Sequence, residues 1–345
     1  MRKQFQIILD ADDVLFDCNG TAVRDLNRSF GTNFKVSDIT RWGPMGNALD
    51  ERLNFFNEPS WVRKLPLFPG AREFVKKLSE IAELLVVTNV PAKCAGARMD
   101  ALIENFPWIQ PSNILIGGRK DLLKADMMLD DAPHNLEKAT DVEYPVLFRQ
   151  PWNYGKTGLY SVSRYDEFLT LVQMVQNGMG IKKPDKYDSI VLVGPSGSGK
   201  KKLADNLLKR NPRIRRVTTY TTKPGGMGYI HLSEKKFATK ADEFFETSCY
   251  MGHRFGTYKP DIAAEIAEGN IPLLIMDING MVAMKSEFCP ISVYVDAPRE
   301  DCIRDILSRD LSVNEMVRRI ASLDLEARNE RFCDITLTAD SEVSL

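Results

Sequence analysis

Histidine is scarce in this chain. Its 345 residues hold three, His134, His231 and His253, with no pair spaced four apart. That removes the usual basis for a zinc site or a Ser-His-Asp triad. The six cysteines, Cys18, Cys94, Cys249, Cys289, Cys302 and Cys333, form no C-x-x-C pair and lack the tight spacing of a disulfide scaffold, so they read as reduced, mostly buried thiols. No stretch reaches about 18 uninterrupted apolar residues, the length that would span a membrane. Met1 to Leu9 carries two charges and then an apolar run too short for a signal peptide, so a cytoplasmic protein is expected. Neither charge is in excess: 46 Lys plus Arg face 47 Asp plus Glu. No net field draws the chain onto nucleic acid or an anionic membrane, and any polyanion must be bound locally.

What is there is ordinary in bulk and specific in detail. Apolar residues at 43% and charged residues at 27% suit a globular protein. At roughly one domain per 150 residues the length predicts two domains. The expected division is a first domain over 1–178, with an inserted helical cap at about 19–67, a linker over 179–187, and a second domain over 188–345. The linker reading rests on Asn177-Gly178-Met179-Gly180 and Lys182-Lys183-Pro184-Asp185-Lys186.

In the first half, three apolar runs end abruptly in polar residues. Phe5 to Leu9 runs into Asp10-Ala11-Asp12-Asp13, Leu84 to Val87 into Thr88-Asn89, and Met127 to Leu129 into Asp130-Asp131. Buried parallel strands deliver polar groups to their C-terminal edge in this way, where the sites of open α/β sheets lie. Helical patterns between them, such as Ala71 to Ile81, predict a doubly wound parallel sheet. One Asp-x-Asp pair alone reads equally well as a loop or a helix cap. Three such clusters in order point to a site.

Two carboxylates two residues apart on a strand end face the same way. One can attack phosphorus, and the other can protonate the leaving oxygen and later activate water. Asp10, Asp12, Asp130 and Asp131 together form an oxygen-rich set that suits magnesium, while Thr88 and Lys120 suit the remaining phosphoryl oxygens. The aromatics Phe16, Trp42, Phe55 and Phe56 are candidates for stacking on a nucleobase, or for cap packing.

The segments Asp10-Ala11-Asp12-Asp13-Val14-Leu15, Val87-Thr88-Asn89, Lys120 and Leu129-Asp130-Asp131 resemble the motifs of the haloacid dehalogenase superfamily of phosphatases. Asp12-Asp13-Val14-Leu15-Phe16-Asp17, Leu67-Phe68-Pro69-Gly70-Ala71 and Asp130-Asp131-Ala132-Pro133-His134-Asn135 are similar to its cytosolic 5′(3′)-deoxyribonucleotidases. The resemblance implies nucleoside monophosphate substrates, Asp10 as nucleophile, Asp12 as acid and base, Thr88 and Lys120 on the phosphate, and Asp130 with the Ala11 carbonyl on Mg2+. Asp13 stands where the family commonly has glycine.

In the second half the apolar run Ser189 to Val193 leads into Gly194-Pro195-Ser196-Gly197-Ser198-Gly199-Lys200 and a helical stretch. This is the G-x-x-x-x-G-K loop, whose backbone N–H groups cradle the phosphates of a nucleotide such as ATP. Lys201 occupies the place of the Ser or Thr that normally ligates magnesium. Three readings stand open: another group holds the metal, Lys201 supplies the charge, or the loop binds nucleotide without efficient transfer.

Beyond the loop, Val217 to Pro224, Gly228-Tyr229, Phe245-Glu246 and Gly252 to Thr257 resemble the monophosphate-binding motifs of guanylate kinase, with later elements at Asp277-Ile278-Asn279-Gly280, Arg304 to Arg309, Arg318-Arg319 and Glu326. The resemblance implies Lys223 and Tyr229 on the acceptor phosphate, Glu246, Thr219 and Thr257 with Asn279 around the base, and Arg309 and Arg319 on the charge developing during transfer. Lys223 replaces an arginine, a second phosphate-binding arginine is missing near Gly225-Gly226, Phe255 replaces a tyrosine, and Asn279 replaces an acid.

Three functions fit these motifs. The leading one is a nucleotide-pool enzyme whose halves dephosphorylate one monophosphate and phosphorylate another. The second is a polynucleotide kinase-phosphatase, in which nucleic acid would be the partner, although no basic stripe supports it. The third is a phosphatase fused to a non-catalytic binding module. Otherwise the expected partners are small nucleotides and not membranes, and the sequence does not speak to oligomeric state.

Overall fold

The computed structural model describes residues 5–156, 158–177, 186–224, 229–240, 243–250 and 253–342. Most of the expected linker, and Gly225, Gly226, Gly228 and Gly252 of the acceptor motifs, lie outside the described residues. The chain forms two compact units, one running to Leu169 and the other beginning at Thr170.

The first unit is built on strands β1 (Gln6–Leu9), β2 (Glu83–Thr88), β3 (Ile114–Ile116), β4 (Ala125–Asp130), β5 (Val142–Phe148) and β6 (Tyr160–Val162). They pair in the order β3-β2-β1-β4-β5-β6, every pair parallel. The order reverses beside β1, and the C-terminal ends of β1 and β4 flank that switch point, where open α/β sheets hold their ligands. Helices α1 (Cys18–Phe30), α2 (Pro59–Arg63), α3 (Ala71–Ser79), α4 (Ala95–Asn105) and α5 (Pro133–Lys138) complete it, and α6 (Tyr165–Gln176) begins in it and runs past Leu169. Helix α3 shows why such segments pack: Ala71, Phe74, Val75 and Leu78 recur on one face, and all four are buried.

The segment expected to be a cap holds α1, two 3-10 stretches (Val36–Asp38 and Ala48–Asn57) and α2. Val23, Leu26, Ile39, Leu49 and Trp152 form its small core. Each such side chain contributes about 1.5–3 kcal/mol when fully buried.

The second unit has two sheets. Strands β7 (Ser189–Val193), β8 (Ile214–Arg216), β13 (Ile271–Ile275), β14 (Pro290–Asp296) and β15 (Ile335–Thr338) form a parallel sheet in the order β15-β14-β7-β13-β8. Strands β9 (Thr219–Thr221), β10 (Tyr229–His231), β11 (Phe244–Tyr250) and β12 (His253–Tyr258) form a smaller mixed sheet in the order β10-β9-β12-β11. The helices are α7 (Lys200–Arg210), α8 (Glu234–Thr239), α9 (Lys259–Ala267), α10 (Ile278–Glu287), α11 (Arg299–Ser308) and α12 (Val313–Ala327). All five residues of β7 are buried, and its Ile190 and Leu192 pack with Leu203 and Leu207 of α7. The loop between them is therefore anchored at both ends. The fold class is α/β with parallel sheets in both units, as the strand-end pattern predicts.

Candidate active site

In the first unit, Asp10 lies at the end of β1, Asp130 at the end of β4, and Asp131 one residue beyond. Each offers a carboxylate oxygen, and these oxygens lie within 4.8 Å of one another, all three residues buried. Lys120 reaches between two of them, its Nζ 2.6 Å from Asp10 Oδ1 and 2.6 Å from Asp130 Oδ2. Burial pulls the ammonium towards neutrality, but the two carboxylates more than reverse this and hold it charged. Asp130 also accepts hydrogen bonds from the Ala132 amide (2.8 Å) and Asn135 Nδ2 (3.0 Å), while Asp131 Oδ2 accepts from Trp152 Nε1 (2.7 Å).

One lysine does not balance three buried carboxylates. Burial, together with Asp130 and Asp12, pushes the Asp10 carboxyl up to about 7 even though Lys120 opposes it. Burial and the neighbouring carboxylates push Asp131 well above the usual range. Among the described residues Asp131 Oδ1 is buried and has no hydrogen-bond partner. An oxygen-only donor set with an orphaned carboxylate oxygen and unbalanced negative charge fits a hard divalent cation such as Mg2+.

Asp12 does not join this cluster. Its carboxylate is ion-paired with Arg98, and it accepts from Cys18 Sγ at 2.9 Å and Thr88 Oγ1 at 3.2 Å. Although β1 ends at Leu9 and the chain turns at once, Asp10 and Asp12 both line one cavity. In that turn the Ala11 carbonyl accepts from both Leu15 and Phe16 amides at 2.9 Å. Both of its lone pairs are used, so Ala11 is not the free metal ligand that the resemblance implied. Thr88 is fully buried, with its hydroxyl on Asp12.

Sequence reasoning missed Arg98. It is 1% exposed, on α4, in helical register with buried Ala101 and Leu102, and its guanidinium lies 4.4 Å from the centre of the Phe16 ring. The available signal is an arginine on the apolar face of an amphipathic helix. Also missed was the link from Asp13 to the cap. Asp13 has φ 55°, a left-handed conformation that suits glycine and that Asp tolerates. Its carboxylate accepts from the Asn19 amide (2.8 Å) and Asn19 Nδ2 (2.6 Å), and burial pushes it up to about 8 against those bonds. Asn19 Oδ1 in turn accepts from Arg52 Nε at 3.1 Å, and Arg52 donates to the Leu49 and Gly43 carbonyls of the cap.

A cavity of about 500 Å3 opens over the cluster, with Asp10, Asp12 and Lys120 in its lining and Trp42 and Phe56 among its aromatics. Trp42 is 49% exposed, its ring 5.3 Å from His134 and 6.5 Å from Trp152. Phe16 is fully buried against Phe106, and Phe55 packs on the cap core and stacks on Trp61. Of the four stacking candidates, Trp42 and Phe56 therefore face the cavity and Phe16 and Phe55 are packing.

In the second unit the loop after β7 is closed tightly. Gly194 has φ 149° and Gly197 φ 90°, and a Cβ at either would lie 2.6 Å from a backbone oxygen, of Val295 or Cys302. Gly199 caps the start of α7. Lys200 Nζ donates to the Gly194 (2.6 Å) and Pro195 (2.7 Å) carbonyls. Burial pushes this ammonium down to about 8, against the pull of Glu326. The Ser196 amide donates to Glu326 Oε2 at 2.8 Å, and Ser196 Oγ accepts from Arg319 at 2.9 Å. Arg319 also binds Glu315, and Arg309, at the end of α11, pairs with Asp305. Ser198 is buried and Lys201 is exposed.

The acceptor candidates gather on the small sheet. Thr219 of β9 stands opposite Tyr229 of β10, and Glu246 of β11 opposite Thr257 of β12, with Thr257 Oγ1 donating to Glu246 Oε1 at 3.0 Å. Tyr229 is exposed, its ring 5.7 Å from Phe255. Lys223 is exposed just after β9, and Asn279 lies in the first turn of α10.

Comparison with known proteins assigns the two halves. The family model described as "5′ nucleotidase, deoxy (Pyrimidine), cytosolic type C protein" matches residues 4–177, half of the chain, and the guanylate kinase model matches residues 186–341. The chain is 30% identical over 165 residues to the 5′(3′)-deoxyribonucleotidases of Bacillus subtilis and of Bacillus phage SPbeta, covering 47% of this chain and 94% of each of those. Among solved structures it is similar to a guanylate kinase from Anaplasma phagocytophilum, at 16% identity and a TM-score of 0.35 over 45% of this chain and 78% of that one. No helix among the described residues is long and apolar enough to cross a membrane. The chain belongs to the cytosolic type C deoxyribonucleotidase family, an enzyme family, and carries a guanylate kinase domain in its C-terminal half.

Proposed function

We propose that the chain is a bifunctional nucleotide enzyme. Its first unit dephosphorylates a (deoxy)nucleoside 5′-monophosphate through an aspartyl-phosphate, and its second unit phosphorylates a nucleoside monophosphate from ATP. One observation carries the reading: Asp10, Asp130 and Asp131 gather their carboxylates together, Lys120 bridges Asp10 and Asp130, and Asp10 and Lys120 line a cavity that also presents Asp12 and Trp42. An Asp10 oxygen attacks phosphorus, the bond to the nucleoside oxygen breaks, and that oxygen takes a proton from Asp12. Asp12 then takes a proton from water, whose oxygen attacks the same phosphorus and returns Asp10 with release of phosphate. Mg2+, held by Asp10, Asp130 and Asp131, would offset the negative charge of phosphate and carboxylates. Lys120 adds a fixed positive charge, and Arg98 and Thr88 hold Asp12 in place. A cytoplasmic location is consistent with this chemistry.

A screen of natural and modified monophosphates for phosphate release and for phosphorylation, with Asp10→Asn and Lys200→Ala as controls, tests the reading. Asp10→Asn is expected to abolish phosphate release alone, and Lys200→Ala phosphorylation alone. Phosphate release that survives Asp10→Asn would overturn the first assignment. Phosphorylation that is absent from the parent chain would favour a non-catalytic second unit.

A further inference from the structure

The guanylate kinase domain implies a magnesium ion beside the phosphate loop, and the residues here do not fit one. The residue after the loop lysine ordinarily presents a hydroxyl oxygen to the metal. Lys201 has three N–H donors and no lone pair to give, and its charge repels a cation. Among the described residues, the converging set of side chains able to hold a metal is Asp10, Asp130 and Asp131, in the other unit. Asp277, which follows β13 beside the loop strand, is engaged in capping α10 through the Gly280 amide at 2.9 Å.

The start of α7 is also built against its own helix dipole. Lys200, Lys201 and Lys202 stand in succession there, and the first turn has no acidic residue. A cation at a helix N-terminus opposes the dipole. Lys202 is answered by Asp340 at 2.5 Å and Lys200 by two loop carbonyls. Lys201 is exposed and, among the described residues, makes no hydrogen bond or ion pair. Inside the loop, Ser198 Oγ is buried with no partner among the described residues, turned towards Gly194. A buried hydroxyl left unpaired carries its full desolvation penalty. Both unmet groups call for an anion with several oxygens.

We infer that this loop holds the triphosphate of ATP without a divalent ion, with Lys201 supplying as a fixed ammonium part of the charge that a metal would bring. The inference rests on the proposal that the second unit takes ATP. Lys200 and Lys201 flank the phosphates, the helix N–H groups and Ser198 Oγ donate to their oxygens, and Arg319 stands beside Ser196 within reach of the same loop.

The test is calorimetric titration of the full chain with ATP, once in EDTA and once in Mg2+, for the parent, Lys201→Ser and Lys201→Arg, with Lys200→Ala to show that the heat comes from this loop. The parent is expected to bind ATP with dissociation constants within about threefold in the two media. Lys201→Ser is expected to lose about tenfold or more in EDTA and to recover in Mg2+. Lys201→Arg, which keeps the charge, is expected to stay metal-independent. Lys201 is exposed, and matching thermal melts would show that the variants are folded. Binding by the parent in Mg2+ alone, or unchanged EDTA binding by Lys201→Ser, would overturn the inference and leave the kinase proposal standing. Absence of ATP binding in both media would overturn both.

Discussion

Arg98, midway along α4, and Asp12, just past the end of β1, form an ion pair across 86 residues of sequence, with the guanidinium almost wholly buried and lying over the Phe16 ring. This pair fixes the carboxylate assigned to proton transfer in a position distinct from the metal cluster. Arg98→Met is expected to lower kcat for phosphate release by about 10²-fold or more, the scale of a positioned acid–base group, with a far smaller change in KM. Arg98→Lys is expected to restore most of that rate. Steady-state kinetics with a nucleoside monophosphate decide it, and an unchanged kcat in Arg98→Met would remove Arg98 from the site.

Lys120 is the cation that bridges Asp10 and Asp130, two of the three clustered carboxylates. Replacing it by Met leaves buried negative charge unanswered and is expected to cost about 3–5 kcal/mol of stability in EDTA. Added Mg2+ binds the folded state and is expected to return part of that loss. Denaturant unfolding of parent and variant in the two media measures both quantities. If Mg2+ stabilises neither protein, the carboxylates do not bind it.

Trp42 presents a half-exposed ring to the cavity. Trp42→Ala is expected to raise KM for a nucleoside monophosphate about 5- to 150-fold, the equivalent of about 1–3 kcal/mol of base stacking. Turnover of ribose 5-phosphate, which has no base, is expected to change little. Equal losses on both substrates would mean that Trp42 shapes the cavity without touching the base.

Lys200 gives the second unit a pH signature. Its ammonium sits at about 8 in the ligand-free protein, below its ordinary 10.5, chiefly through burial. The unfolded chain therefore holds more protons between those values, and the stability of this unit is expected to rise with pH across that window. A bound phosphate draws the proton back, so ATP binding at pH 8.5 is expected to take up a proton and at pH 6.5 to take up almost none. Calorimetry in two buffers of different ionisation enthalpy reads this directly. The same uptake in Lys200→Met would assign the proton elsewhere.

Much of this arrangement is legible in the sequence because strands and motif loops are local. Apolar runs ending in Asp10, Thr88 and Asp130 mark the edge of one sheet, and the run into Gly194 marks the other. What stays hidden depends on contacts between distant segments or on how a strand ends. The partners of Asp12 lie beyond any spacing rule, because Arg98 of α4, Cys18 of α1 and Thr88 at the end of β2 come to it from distant segments. Arg98 lies in a helix whose pattern is amphipathic, where an arginine ordinarily lies in solvent. Nothing in the motif around Asp13 announces its hydrogen bonds to Asn19 and, through it, the link to Arg52. The division of the aromatics into cavity and packing residues follows from tertiary contacts that helical spacing cannot resolve.

The cross-strand pairing on the small sheet has an evolutionary consequence. Thr219 with Tyr229, and Glu246 with Thr257, are neighbours through strand register and not through loops. A one-residue slip of a strand sends each of its side chains to the opposite face. Insertions within these strands are therefore barred, so homologues are expected to keep the pairing of these four positions while varying what occupies them.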